Sequence, residues 1–209
     1  MPAQQKARVR QLIAALRKAH PDAKLALNFS SPLELLVALI LAAQARDDLV
    51  NSVTGELFRR YRTAADWARL DENDVRRVNF YRNKTKAIRA AAALLAGKFG
   101  GNVPGNLDDL LTLPGVGRKT ANIVLGNAFG RVAIGVDTHV LRLAQRLGLS
   151  KNTNPDKVEA DLTPLVPAKD AVAFCHLLAF HGRRFCTARN PSCATCPANK
   201  LCPKIGVPA

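Results

Sequence analysis

The apolar positions of this chain recur with the period of an α-helix, and no stretch alternates convincingly as a half-buried strand would. Ser31-Pro32-Leu33-Glu34 predicts a helix start, because Ser caps the first amides and Pro fits the first turn. Further helices are predicted over 64–70, 107–113, 118–129, 138–147, 155–166 and 169–181. Two apolar stripes at helical spacing are Val9, Leu12, Ile13 and Leu16, and Ile88, Ala91, Leu95 and Phe99, the second ended by Gly100-Gly101. The pattern predicts an all-α fold.

The final segment, from Cys186 to Ala209, is rich in Cys and Pro and poor in large apolar residues. Four thiolates in a short loop can hold one tetrahedral metal ion or one cubane cluster, and spacing alone does not distinguish zinc from iron–sulfur. Four unrelated buried thiols are the weaker interpretation, because the segment offers little core. Cys175 lies on an apolar helix and is interpreted as an ordinary buried thiol. The spacing C-x6-C-x2-C-x5-C is formed by Cys186, Cys193, Cys196 and Cys202.

The formal net charge is +15, from 31 Lys and Arg against 16 Asp and Glu, and this balance favours a polyanionic partner. Two tracts contain no carboxylate: the residues between Val75 and Leu107, and everything after Asp170. A solvated basic surface is the alternative, but two separate tracts favour a nucleic-acid footprint. Their basic residues include Arg76, Arg77, Arg82, Lys84, Lys86, Arg89, Lys98, Arg183, Arg184, Arg189, Lys200 and Lys204.

Nothing in the sequence predicts export or a membrane span. Residues 1–10 are polar and basic and lack the apolar core of a secretory signal. The longest apolar run, Leu35 to Ala43, is too short to cross a bilayer. We therefore expect a cytoplasmic protein, in which reduced cysteines suit metal or cluster ligation better than disulfides.

The segment from Leu113 to Asn122, LPGVGRKTAN, predicts a helix end, a glycine turn and a new helix start. Amides at a helix start favour anions, and Gly115 and Gly117 would let a phosphate approach the main chain. Lys119 lies in the new first turn, beside Arg118. A lysine attacks only as the neutral amine, a form that partial burial, the helix start and a neighbouring cation favour. Spacing alone leaves Lys119 equally a nucleophile or a phosphate contact.

Asp137 changes this balance, because it is the only carboxylate between Asp109 and Asp156. It precedes the helix predicted from Thr138, and we expect it to be the N-cap of that helix. An ionised cap is compatible with catalysis, since a carboxylate would stabilise a cationic sugar transition state. We expect His139 to pack or hydrogen-bond locally rather than to act as a base.

The hairpin with its lysine, the Gly-Val-Asp-Thr-His segment and the cysteine tail, in this order, resemble the endonuclease III family. These are bifunctional DNA glycosylases of the helix-hairpin-helix superfamily, and the resemblance covers nearly the whole chain. It implies two helical domains flanking a DNA-binding groove. Residues 25–133 would form a six-helix bundle with the hairpin. Residues 1–24 and 134–209 would form a discontinuous domain holding a 4Fe–4S cluster in loop 186–202.

The resemblance also implies the activity: removal of oxidised pyrimidines from duplex DNA, with cleavage of abasic sites, by a protein that we expect to be a monomer near the nucleoid. Lys119 would attack C1′, release the base, form a Schiff base and cut the 3′ side by β-elimination. Asp137 would assist base departure. Cys186, Cys193, Cys196 and Cys202 would ligate the cluster. The implied DNA-binding residues are Gln44, Phe80, Leu113, Gly115, Gly117, Arg118, His139 and Arg184.

Two of these assignments have structural alternatives. Gln44 would fill the gap left by the extruded nucleotide, or it is simply a polar residue ending a buried helix. Phe80 would be a wedge, or it is an apolar plug that anchors its loop. Here the chain departs from the common family pattern, with Asn79 in place of a frequent Gly and Phe80 in place of Leu. Asn tolerates left-handed backbone geometry, so the turn is expected to survive.

Two other functions remain open at this point. One is a monofunctional mismatch glycosylase of the same superfamily, although such relatives usually lack the hairpin lysine. The other is a non-catalytic DNA-binding iron–sulfur protein. The borohydride-trapped adduct and the effect of replacing Asp137 separate these possibilities.

Overall fold

The computed structural model describes residues 2–207, which contain ten α-helices and three short 3₁₀ turns. About 60% of the chain is helical, and the described part contains no strand, so the all-α prediction is confirmed. None of the helices within residues 2–207 combines the length and apolar character needed to cross a membrane. The helices are α1 (Pro2–Ala19), α2 (Pro32–Ala42), α3 (Asp47–Arg60), α4 (Ala64–Trp67), α5 (Tyr81–Lys98), α6 (Leu107–Leu111), α7 (Arg118–Phe129), α8 (Thr138–Arg146), α9 (Pro155–Leu162) and α10 (Ala171–Arg184).

The chain divides into two compact units. The central unit is Leu25–Arg131 and contains α2 to α7, that is, six α-helices. The terminal unit combines the chain up to Lys24 with the chain from Val132 onward, and it contains α1, α8, α9 and α10. The division thus falls after residues 24 and 131, where the sequence analysis placed it after residues 24 and 133.

The central unit is organised around α2, which packs against α3, α5 and α7. Ser31 caps this helix by accepting a hydrogen bond from the Glu34 amide at 3.2 Å, and Pro32 occupies the first turn, as predicted. The helix is buried on several sides, as expected for a helix without a polar stripe. Its buried residues are Leu35, Leu36, Val37, Ala38, Ile40 and Leu41.

Helix α3 is absent from the sequence-based prediction. Its buried residues nevertheless follow helical spacing, since Val50, Val53, Thr54 and Leu57 occur at i, i+3, i+4 and i+7. A threonine in this stripe and a glycine at position 55 obscure the pattern. The stripe could have been recognised if Thr54 had been counted as a residue able to occupy the core.

Other predicted helices occur with small differences at their ends. Helix α5 stops at Lys98, and Gly100 and Gly101 follow with φ of 59° and 81°, so the predicted glycine stop is confirmed. Helices α4, α6, α8 and α9 end one to four residues earlier than predicted. Helix α10 starts at Ala171, after a 3₁₀ turn, and continues to Arg184 rather than ending at His181.

The terminal unit has its own core, built from α1, α8, α9 and α10. The predicted N-terminal stripe is buried, with Val9, Leu12, Ile13 and Leu16 all in this core. Cys186, Cys196 and Cys202 are partly buried against the same core. The cysteine segment therefore lies against a hydrophobic surface rather than extending into solvent.

Candidate functional site

The predicted hairpin is present, with α6 and α7 joined by the glycine turn. Leu113 and Val116 are buried and anchor the turn, and the Val116 amide donates to the Leu113 carbonyl at 3.1 Å. Gly117 is the N-cap of α7, with φ of −94°, and it provides no side-chain cap to the first-turn amides. A helix start without a side-chain cap favours an external anion as the hydrogen-bond acceptor.

The two glycines of this turn have different structural roles. Gly115 has φ of +80°, and a Cβ built on it would lie 2.8 Å from the Ala87 Cβ and 3.8 Å from Ile40 Cγ2. The turn therefore rests on α5 and on the last turns of α2, where no side chain fits. Gly117, in contrast, has an ordinary φ, and a Cβ there would meet nothing within 4 Å. The fold requires glycine at position 115 but leaves space at position 117.

Lys119 is the second residue of α7, and its side chain is exposed, so the partial burial expected from the sequence is absent. Arg118, immediately before it, is half-buried. The amine thus lies at the positive end of a helix, next to the glycine turn, and is accessible from solvent.

Gln44 and Phe80 share an unusual backbone conformation. Both have positive φ, 53° and 57°, and among the described residues Lys204 is the only other non-glycine with this property. Such conformations cost about 1–3 kcal/mol each and cluster at functional sites. Gln44 is exposed, and Phe80 is 61% exposed, although it is a large apolar residue.

The loop before α5 differs from the sequence-based expectation. The left-handed residue is Phe80, the N-cap of α5, and not Asn79. Asn79 contributes a hydrogen bond instead, because its Nδ2 donates to the Gln44 carbonyl at 3.3 Å. The amide side chain therefore connects the two loops, a role that a glycine at this position would not perform.

In the basic tract between residues 75 and 107, some cationic side chains face solvent without a described bond, and others are buried or bonded within the protein. Lys84 is buried, which removes it from the predicted nucleic-acid footprint. Lys98 lies 3.9 Å from Asp109, and Arg89 donates to the Leu70 carbonyl at 2.7 Å. The exposed cations nearest in sequence to Phe80 are Arg76, Arg77, Arg82 and Lys86.

In the terminal unit, Asp137 is the N-cap of α8, as predicted. Its carboxylate accepts a hydrogen bond from the Val140 amide at 2.7 Å. The side chain is half-buried, and it interacts electrostatically with Arg142, Cys175 and His176. Burial raises the pKa of Cys175 to about 12, and this thiol packs against the core, as expected for a structural cysteine.

His139 packs locally, as the sequence suggested. Arg142 Nη2 lies 3.1 Å from His139 Nδ1, and the same nitrogen donates to the Gly182 carbonyl at 3.1 Å and to the Cys186 carbonyl at 3.0 Å. A Cβ on Gly182 would lie 2.9 Å from His139 Nδ1, so the imidazole lies directly against α10. These contacts join the start of α8 to the beginning of the cysteine segment.

Arg184, the last residue of α10, is already paired. Its guanidinium donates to both carboxylate oxygens of Asp22, at 3.0 Å and 2.6 Å, and it lies 5.0 Å from the centre of the Phe180 ring. A phosphate would therefore compete with Asp22 for this side chain. The sequence alone did not reveal this long-range pair.

The four cysteines of the tail line one cavity, together with Arg146, His181 and Phe185. No acidic residue within the described chain contributes to its lining. Arg146 Nη1 donates to Cys186 Sγ at 3.3 Å, and the Lys204 amide donates to Cys202 Sγ at 3.3 Å. Donors directed at sulfur and an absence of carboxylates fit an anionic group held by thiolates.

The protonation of the cavity thiols depends on whether a metal is bound. Burial raises the pKa of Cys196 and Cys202, and the neighbouring cysteines raise it further. Without a metal these thiols would hold their protons, whereas a metal takes the place of the proton. Within residues 2–207, however, no three His, Cys, Asp or Glu side chains form a group that could hold a single metal ion.

Comparison with known proteins gives one family. Residues 37–168 match the HhH-GPD superfamily base excision DNA repair protein family. The endonuclease III of Synechocystis sp. is 45% identical over 206 residues, which cover 96% of this chain and 94% of that protein.

Two solved structures are similar over 95% of the chain at 41% identity, each with a TM-score of 0.89. One is a non-covalent endonuclease III–DNA complex, of which 95% is covered. The other is a trapped endonuclease III–DNA covalent intermediate, an estranged-adenine complex, of which 96% is covered.

The two glycines of the hairpin provide a matched pair of variants. Gly115→Ala should lower the free energy of unfolding, by about 1–2 kcal/mol for the left-handed backbone and by about 1–3 kcal/mol for overlap with Ala87. Gly117→Ala should change it by less than about 1 kcal/mol, the scale of an N-cap substitution. Urea denaturation measures both values.

If the turn holds a phosphate, Gly117→Ala should still weaken binding to a DNA duplex, because the new methyl group would keep the phosphate from the helix start. Fluorescence anisotropy with a labelled duplex measures this effect. Unchanged affinity in a folded Gly117→Ala protein would contradict the assignment of this turn to DNA.

Proposed function

Because the chain belongs to the endonuclease III family of the HhH-GPD superfamily of base excision DNA repair proteins, we infer that it is a bifunctional DNA glycosylase and abasic-site lyase acting on duplex DNA. The observation that carries this proposal is the exposed Lys119 at the start of α7, directly after a glycine turn that a phosphate can approach. Its substrates are oxidised pyrimidines and abasic sites in DNA, including that of the nucleoid.

Lys119 is proposed as the nucleophile. Its Nζ attacks C1′ of the damaged nucleotide, and the bond from C1′ to the base breaks as the new C–N bond forms. Opening of the sugar ring gives a Schiff base between Lys119 and C1′. Loss of a proton from C2′ then expels the 3′ phosphate, and hydrolysis of the Schiff base returns the free lysine.

Asp137 is proposed to assist departure of the base. Its carboxylate is held by the Val140 amide in the first turn of α8, so its position is fixed before substrate binds. An ionised carboxylate stabilises positive charge that develops on the sugar as the base leaves. The capping contact therefore serves both the helix and the chemistry.

Gln44 and Phe80 are proposed to occupy the space left when the damaged nucleotide leaves the helix stack. Extrusion of a nucleotide costs a few kcal/mol in unstacking and unpairing, which side chains inserted into the gap offset in part. Both residues are exposed, and both lie in left-handed backbone conformations. Gly115, Gly117 and Arg118 are proposed to hold the phosphates beside the target, with Leu113 as the buried anchor of the turn.

Two further residues have indirect roles in this proposal. His139 and its contact with Arg142 support the start of α8, where Asp137 lies. Arg184 is proposed to contact DNA only after a phosphate displaces Asp22, because its Nη1 and Nη2 both donate to that carboxylate.

Cys186, Cys193, Cys196 and Cys202 are proposed to hold a 4Fe–4S cluster. The shared cavity, the N–H donors at sulfur and the lack of acidic lining support this assignment. Zinc is the alternative occupant, because four thiolates at this spacing can bind either a zinc ion or a cluster. When bound, the cluster supplies covalent cross-links that fix loop 186–202, whose exposed cations include Arg189 and Lys200.

The alternative functions receive less support. A monofunctional glycosylase needs no nucleophilic amine, yet this chain has an accessible lysine in the first turn of α7. A non-catalytic DNA-binding protein would use the half-buried Asp137 only as the cap of α8. The bifunctional enzyme uses both features.

Replacement of Lys119 distinguishes a nucleophile from a phosphate contact. Lys119→Arg keeps the positive charge but loses the amine, and Lys119→Gln loses both. We expect the wild type to give a covalent adduct with lesion-containing DNA under borohydride and both variants to give none. Because the residue is exposed, stability should change by less than about 0.5 kcal/mol.

Gel electrophoresis of the borohydride-treated mixture detects the adduct, and anisotropy shows that the variants still bind DNA. An undiminished adduct in Lys119→Arg would exclude Lys119 as the nucleophile. Absence of an adduct in the wild type would exclude the lyase mechanism.

Replacement of Asp137 separates its capping role from its catalytic role. Asn caps helices about as well as Asp, so Asp137→Asn should be nearly as stable as the wild type, whereas Asp137→Ala should lose about 1 kcal/mol. Both variants should release the damaged base about 100-fold more slowly, the scale of removing one electrostatic contact in a transition state. Single-turnover base release and urea denaturation measure the two effects. Normal base release by Asp137→Asn would show that the carboxylate is only a cap.

Metal analysis tests the cluster. Protein purified anaerobically should be yellow-brown, with about four irons per chain. Substitution of Cys186 by Ser should reduce the iron content and the visible absorption. Colourless wild-type protein containing one zinc per chain would refute the proposed cluster.

A further inference from the structure

Lys84 is a buried lysine in a chain whose other cations mostly reach solvent. It is 6% exposed, and its Nζ donates to the Leu41 carbonyl at 2.8 Å. Burial lowers the pKa of this side chain. Leu41 belongs to the last turn of α2, where carbonyls lack helical partners and the helix dipole favours a cation. The ammonium group therefore closes the end of α2.

The same residue is bonded to the loop that carries Phe80. The Lys84 amide donates to the Phe80 carbonyl at 3.1 Å, closing the first turn of α5. Through its side chain it also holds Leu41, three residues before Gln44. Lys84 thus contacts the segments that present both proposed insertion residues.

A second polar contact joins the same two segments of the chain. Asn79 Nδ2 donates to the Gln44 carbonyl at 3.3 Å and joins the loop after α2 to the loop before α5, in addition to the bond from Lys84 to Leu41 between the two helices. Both insertion residues are left-handed and exposed, and neither conformation is favourable for a side chain that is not glycine. External contacts are needed to keep each residue in that conformation.

The glycine turn packs on the same part of the unit. The position of the missing Gly115 side chain lies against Ala87, one turn after Lys84, and against Ile40, which precedes Leu41. Gln44, Phe80 and the hairpin turn therefore rest on the end of α2 and the first two turns of α5. The buried Lys84 bonds directly to the Phe80 carbonyl and, at Leu41, to the helix end that precedes Gln44.

We propose that Lys84 is a positioning residue that holds Gln44 and Phe80 in one fixed arrangement, so that both enter the DNA duplex as a unit. This inference rests on the proposed glycosylase function. It assigns Lys84 a role separate from phosphate binding, although it belongs to the basic tract. The feature that Gln44 and Phe80 recognise together is the gap left in duplex DNA by an extruded nucleotide.

A double-mutant cycle tests this role. Lys84→Met removes the hydrogen-bond donor at similar volume and should slow base release from a lesion in duplex DNA by about 10-fold to 100-fold, the scale of a small misplacement of an active-site group. In a Gln44→Ala, Phe80→Ala background the same change should slow base release by less than about 2-fold, because the side chains that Lys84 positions are gone. Non-additivity of this kind identifies residues that act through one another.

Two further variants serve as controls. Lys86→Met removes an exposed charge two residues later in α5. Its effect on base release measures the loss of charge alone and should be equal in both backgrounds. Asn79→Ala removes the second contact between the loops and should show the same background dependence as Lys84→Met. It also replaces Lys84→Met in the cycle if that variant does not fold, because Asn79 is exposed.

The possible results are distinct. If Lys84→Met, or Asn79→Ala in its place, slows base release equally in both backgrounds, the effect is a general structural one and the proposal is overturned. No loss in the wild-type background would overturn it as well. If Gln44→Ala, Phe80→Ala alone has normal base release, the proposed insertion roles fail and this inference fails with them. Failure of the glycosylase function itself would instead appear as wild-type protein that neither releases the base nor forms a borohydride adduct.

Discussion

The close approach of the glycine turn to its neighbouring helices is the constraint on which the central unit depends. At Gly115 the backbone is left-handed and lies against Ala87 and Ile40, with no space for a methyl group. This contact sets where α7 begins, and therefore where Lys119 lies. Lys84 and Asn79 bond the adjoining ends of α2 and α5 to each other. The proposed nucleophile and the proposed insertion residues thus have one common support.

The terminal unit is organised by hydrogen bonds from arginines to backbone carbonyls. Arg142 donates to the carbonyls of Gly182 and Cys186, and Arg146 donates to those of Thr187 and Ala188. Both side chains come from α8, whose first turn is capped by Asp137. One short helix therefore carries the proposed catalytic carboxylate and holds the start of the cysteine loop. This gives a physical reason why loop geometry and the position of Asp137 should depend on each other.

The features that the sequence predicts correctly are those that depend on residues close together along the chain. The stripe from Val9 to Leu16, the cap at Ser31 and the cap at Asp137 depend on residues a few positions apart, and all are present. Sequence reasoning failed for α3, because a buried threonine interrupts an otherwise regular stripe. It also assigned Lys84 to the basic surface and Asn79 to the left-handed position, because neither burial nor the conformation of a single loop residue can be read from composition.

The sequence by itself determined that the protein is helical, that a lysine follows a glycine turn, and that four cysteines lie close together along the chain. Helical periodicity, capping and motif spacing are properties of neighbouring residues, so they can be recognised without knowledge of the fold. Only the tertiary structure decided which cations are exposed, that Asp22 neutralises Arg184, and that Lys84 joins the ends of two helices far apart in sequence. These outcomes depend on burial and on contacts between distant segments, which only the packing of the folded chain creates.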